Sequence, residues 1–166
     1  LLLTTREASE HISRDGDVVM LRSSDGGKTW GERQVIGGIP DVDEREGCGI
    51  QLSDGTILVH VFVNKLYRAD GQYNYSWARD VRFSHEQLHL GIYTIASKDN
   101  GKTWSAPHYV DTKGMPFSDL EGPADAPIEM PDGSVLMPVM AYNVRGDIDN
   151  QAAVVLKTVD QGKTWQ

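Results

Sequence analysis

Apolar residues in this chain come in short, β-branched runs broken by Asp and Gly, and no long stretch keeps a helical period. Gly49-Ile50-Gln51-Leu52-Ser53-Asp54-Gly55-Thr56-Ile57-Leu58-Val59 parallels Pro127-Ile128-Glu129-Met130-Pro131-Asp132-Gly133-Ser134-Val135-Leu136-Met137. An Asp-Gly pair between two such runs predicts a tight hairpin. A second pattern, Ser/Thr-x-Asp-x-Gly-Lys-Thr-Trp, occurs three times. It covers Ser23 to Trp30, Ser97 to Trp104 and Thr158 to Trp165, at offsets of 74 and 61 residues. Internal repeats of this length point to a propeller or a solenoid.

Each repeat reads as four strands, A to D. The first unit shows B at about 1–4, C at about 17–23 and D at about 33–36. The second has A at about 46–52, B at about 56–63, C at about 90–97 and D at about 106–110. The third has A at about 124–130, B at about 134–142 and C at about 151–158. In the second pattern Gly27, Gly101 and Gly162 accept positive φ without a steric cost. The carboxylates of Asp25, Asp99 and Asp160 accept hydrogen bonds from N–H groups of their own turns. Trp30, Trp104 and Trp165 offer large apolar faces that anchor the hairpins. These nine residues read as structural pins. One carboxylate per turn is too few for a calcium ion, so no metal is expected at them.

The repeat resembles the Asp box of the sialidase (neuraminidase) superfamily, also called the BNR repeat. The resemblance covers nearly the whole chain. It implies an all-β fold, a six-bladed β-propeller, of which the chain would hold about two and a half blades of four-stranded antiparallel sheet. The expected divisions are 1–37, 38–111 and 112–166. The chain is expected to need the remaining blades, because open strand edges expose unpaired backbone groups; alone it is expected to aggregate and to be inactive.

Antiparallel strands alternate in direction. The Asp-Gly turns and the Asp boxes therefore share one side, and the long connections share the other. Long loops on a rigid scaffold are where function concentrates. Seven of the nine arginines fall in these loops or at their edges, namely Arg6, Arg14, Arg45, Arg68, Arg79, Arg82 and Arg145, and arginine suits two-pronged carboxylate recognition.

Net charge is −8, which disfavours nucleic acid, whose binding needs clustered Lys and Arg. No apolar run reaches the ~20 residues of a membrane span. The single cysteine, Cys48, precludes an intrachain disulfide and reads as a small core residue. No cofactor is expected. The compartment stays open, and a secreted or periplasmic one is compatible with the chain.

The resemblance implies an arginine cluster for a sugar carboxylate, a loop Asp as general acid/base, and a Tyr–Glu nucleophile. Arg6 follows the opening strand as in the family, but the loop after it carries His11 where the acid/base is expected. His11 is either that acid/base or a hydrogen-bonded loop residue. Asp43 and Arg45 lie in the charged run 41–46, which is either pocket lining or a solvated face. Glu121 and Asp125 stand at the matching place before the third unit. The candidates are thus His11, Asp43, Glu121 and Asp125 for catalysis, and Arg6, Arg45, Arg68, Tyr142 and Arg145 for substrate. Tyr67, Tyr73, Tyr75 and Trp77 are either a sugar-stacking lid or a packed hairpin. His60, inside a strand, reads as a histidine with a satisfied hydrogen bond. The resemblance implies an exo-α-sialidase-like glycoside hydrolase acting on glycans. A related glycosidase on another glycan and a non-catalytic binding propeller are the alternatives.

Overall fold

The computed structural model describes residues 1–9, 13, 15–40, 42–64, 91–122, 125–142, 144 and 150–166. The described chain is all β, in three antiparallel sheets. The first contains β1 (Leu2–Glu7), β2 (Asp17–Arg22) and β3 (Gln34–Val35). The second contains β4 (Asp43–Gln51), β5 (Ile57–Asn64), β6 (Gly91–Ser97) and β7 (His108–Tyr109). The third contains β8 (Asp119–Glu121), β9 (Ile128–Glu129), β10 (Val135–Tyr142) and β11 (Gln151–Thr158). Strands follow one another across each sheet, and β8 and β9 both pair with β10.

The second sheet lies between the other two, and β5 shows why its sequence lacks polar alternation. All eight of its residues are buried. Ile57, Val59, Val61 and Val63 join Val18, Met20 and Ile36 in one core. Leu58 and Phe62 join Leu120, Met137, Val139 and Leu156 in the other. A strand covered on both faces reads as a continuous apolar run.

The three Asp boxes have one geometry. Asp25 Oδ1 accepts from Lys28 N at 3.0 Å and Thr29 N at 2.9 Å, and Oδ2 accepts from Thr29 Oγ1 at 2.6 Å. Asp99 and Asp160 repeat the pattern with Lys102, Thr103, Lys163 and Thr164. Two successive residues per tip take the left-handed conformation, Gly26–Gly27, Asn100–Gly101 and Gln161–Gly162. The Thr29 hydroxyl and N–H hold the Asp25 carboxyl well below the usual range, and Thr103 does the same for Asp99.

The second and third boxes pack back on the preceding sheet. Gly101 lies against Met20 and Gly162 against Leu58. Arg22 Nη2 donates to Asn100 O at 2.7 Å, and Gln161 Nε2 to Asp54 Oδ2 at 2.5 Å. Trp165 is buried in the second core and Trp104 packs on the first. Trp30, 40% exposed, departs from the expected anchor: it belongs to the first sheet, which has no described sheet before it to receive the ring.

Three further expectations are corrected. Strand A of the third unit does not run over 124–130; it is split into β8 and β9. Pro123 and Pro127 bracket the break, and proline has no N–H for a ladder. Cys48 is half-buried rather than a core residue. His60 is fully buried, and neither ring nitrogen has a hydrogen-bond partner.

Candidate functional site

Registers fix which strand ends share the long-loop side. Glu7 pairs with Asp17, Asp43 with Asn64, and Asp119 with Tyr142. The ends of β1, β5 and β10 and the starts of β4 and β8 therefore lie away from the Asp boxes.

Arg6, at the end of β1, reaches the start of β4. Its Nη2 donates to Asp43 Oδ1 at 2.6 Å, and its Nε to the same oxygen at 3.2 Å and to Glu44 O at 3.1 Å. Asp43 is fully buried and the Arg6 side chain is mostly so. Burial pushes the Asp43 carboxyl above the usual carboxylate range, while Arg6 and then Arg45 pull against that rise. A guanidinium fixed on two partners is preorganised for a planar ligand.

β4 begins three residues before its expected start, so Asp43, Glu44 and Arg45 are strand residues. Their side chains alternate, and Glu44 turns into the core between the first two sheets. It is fully buried and accepts from Val18 N at 3.2 Å, Gly38 N at 2.8 Å, Ile39 N at 3.1 Å and Tyr93 Oη at 2.7 Å. Four donors satisfy the buried charge, so Glu44 is a structural residue. Burial, reinforced by Glu44, pushes the Tyr93 hydroxyl far above its ordinary range. Sequence reasoning missed this network inside the charged run; the two apolar residues that Glu44 faces, Val18 and Val63, carry no signal for it.

Beyond Arg45 the register slips, so that Glu46 and Gly47 together oppose Val61. Glu46 has φ 42°. Its Oε1 lies 3.4 Å from Arg45 Nη2. Across the gap to the third sheet, Tyr142 on β10 donates its hydroxyl to Glu121 Oε2 on β8. The two side chains are diagonal neighbours on one face, since Glu121 pairs with Met140, two residues before Tyr142. Asp125 is exposed. Burial raises the Cys48 thiol, and the charges of Glu46 and Asp125 raise it further.

The structure thus brings together Arg6 with Asp43, and Glu121 with Tyr142. It puts Arg45 beside Glu46, a residue not singled out in the sequence. His11, Arg68, Arg145 and the aromatic residues of 67–77 lie outside the described residues. Among the described residues no group of three or more His, Cys, Asp or Glu could hold a metal, and no helix is long and apolar enough to cross a membrane. A cleft of about 510 Å³ lies elsewhere, between the first two sheets near the Asp-box side. Leu2, Met20, Ile57, Val59 and Trp104 give it apolar walls, so it is remote from the charged row.

Antiparallel sheets stacked face to face, with Asp boxes at one end and charged strand ends at the other, define blades of a sialidase-type β-propeller. The chain belongs to the BNR repeat-like domain family, whose sequence profile matches residues 76–166. A sialidase of Bacteroides fragilis is 27% identical over 179 residues, covering 96% of this chain and 29% of that protein. One of Paraclostridium sordellii is 24% identical over 158 residues, covering 90% and 37%. The chain spans about a third of the length of these curated relatives. Among solved structures, a protein of unknown function from Dyadobacter fermentans superposes with TM-score 0.76 at 24% identity over 99% of this chain and 49% of its own. A Hadza microbial sialidase does so with TM-score 0.68 at 20% identity over 94% and 31%. These two likenesses show the fold.

Proposed function

We propose that this chain carries part of the active face of a sialidase-type glycoside hydrolase that removes terminal sugars from glycans. The observation that carries the reading is the continuous row of paired groups on the long-loop side: Arg6 on Asp43, Arg45 beside Glu46, and Tyr142 on Glu121. Arg6 and Arg45 hold the sugar, and Arg68 and Arg145, which lie outside the described residues, are further candidates for it. The Glu121 carboxylate polarises the Tyr142 hydroxyl, an oxygen nucleophile oriented by a base. A neutral phenol suits an anionic sugar, which would repel a carboxylate nucleophile. Asp43, His11 and Asp125 are the proton-transfer candidates. The blade divisions at 37 and 111 belong to the same proposal.

A second reading, a related glycosidase on a different glycan, has one observation in its favour. Arg6 and Arg45 both already face carboxylates of the chain, so part of their charge is neutralised before any ligand arrives.

Hydrolysis of a fluorogenic sialoside by the natural full-length protein separates the readings. Tyr142→Phe is expected to lower kcat/KM at least ~100-fold while the melting temperature holds. Full activity of this variant removes Tyr142 from the site. Cleavage of other glycosides but not of the sialoside selects the second reading. Glycan binding without cleavage of any substrate would leave a carbohydrate-binding propeller.

A further inference from the structure

Glu46 sits in a conformation that the fold alone does not explain. Among the described residues three non-glycine residues have positive φ, and two of them, Asn100 and Gln161, occupy equivalent places in Asp-box tips. Glu46 is the third, at the bulge of β4. The left-handed conformation costs an ordinary residue on the order of 1 kcal/mol or more. In return the fold gains an ion pair with Arg45 at 3.4 Å, which at a side chain 37% exposed contributes little. Glycine at position 46 would form the same bulge without the strain.

The bulge aims this side chain. Gly47, the other extra residue, is pressed against Val18 of the first sheet, where a Cβ would lie 2.3 Å from Val18 Cγ1. Glu46 is turned the opposite way, towards the third sheet. Its Oε2 lies 3.3 Å from where a Cβ on Gly122 would be, and that same Cβ would meet Phe62 Cβ at 2.6 Å. Gly122 thus lets the third sheet pass close against Phe62 and beside the Glu46 carboxylate, and Gly122 directly follows Glu121, the partner of Tyr142.

We propose that Glu46 is a substrate-contacting residue whose carboxylate accepts hydrogen bonds from hydroxyl groups of the bound glycan, in the gap between the second and third sheets. This rests on the glycosidase reading above and adds an orientation to it. The charge of Glu46 disfavours an anionic group beside it. The neutral, hydroxyl-bearing part of the sugar lies here, and any acidic group lies towards Arg6.

The experiment uses the natural full-length protein with Glu46→Gly and Glu46→Gln, measuring melting temperature, and cleavage of and thermal shift by a panel of sialosides and neutral glycosides. Glu46→Gly is expected to melt at or above the wild-type temperature and to lose about 100-fold in kcat/KM. Glu46→Gln, which keeps one acceptor oxygen, is expected to lose about 10-fold. If the wild type acts on a glycoside and both variants match it, the inference alone falls. A Glu46→Gly protein that melts several degrees below wild type assigns Glu46 a structural task and also overturns it. A wild type that neither cleaves nor is shifted by any sugar in the panel removes the glycosidase reading itself.

Discussion

The Tyr93 hydroxyl on β6 passes over β5 to reach the Glu44 carboxylate on β4, 2.7 Å away. The two strands do not pair with each other. This bond, with three backbone N–H groups from β2 and the segment before β4, ties the first sheet to the second through one side chain.

Glu44→Ala is therefore expected to cost about 3 kcal/mol or more, because four donors, two of them fully buried, lose their acceptor together. Tyr93→Phe removes one donor of the four and is expected to cost about 2 kcal/mol. Urea unfolding of the two variants gives the ranking. A Tyr93→Phe protein less stable than Glu44→Ala would show that the phenol matters through its packing and not through the carboxylate.

The acid response is expected to have two limbs. Burial lowers His60 to about 4, below the ~6.5 of an unfolded histidine. The unfolded chain takes up this proton first, so stability falls as pH drops from about 6.5 to 4, by roughly 3 kcal/mol. The turn carboxylates act lower. Asp132, held by the Ser134 hydroxyl, and Asp160, held by Thr164 against a burial penalty, both lie at about 2. Their folded values are depressed, so the stability they give is complete above about pH 4 and is lost as pH falls towards 2. Melting temperatures of wild type and His60→Leu across this range test the assignment. A variant whose upper limb is as steep as that of wild type would disprove it.

Asn100 and Gly101 are both left-handed, at φ 62° and 76°, but only Gly101 is buried against a neighbouring sheet, with Met20 Sδ 3.1 Å from a would-be Cβ. Asn100→Gly is expected to be within a few tenths of a kcal/mol of wild type. Gly101→Ala is expected to lose about 1–2 kcal/mol from backbone strain and crowding combined. Equal effects at the two positions would mean that the neighbouring sheet does not matter to the turn.

What could be read from the sequence follows the range of the interactions involved. The Asp boxes were legible because their hydrogen bonds span four residues or fewer, so each hairpin carries its own instructions. β11 was expected at its observed place for a similar reason, a short apolar run that leads straight into an Asp box. The split of β8 from β9 was missed because the apolar residues before Asp132 outweighed two prolines. The pairing of Arg6 with Asp43 joins residues 37 apart, and nothing in either segment names the other. Glu44 was hidden differently: its neighbours in sequence are charged, while its neighbours in space are a core. The bulge that turns Glu46 depends on register against β5, which no local pattern reveals.

The polar stitches between successive hairpin tips, Arg22 to Asn100 and Gln161 to Asp54, also bear on how such a protein can change. They set the spacing of the sheets from the Asp-box end. Insertions and replacements in the opposite connections can then accumulate without altering the angle at which the sheets fan apart. Chains with quite different connections can share one chassis, provided the tips keep their grip on one another.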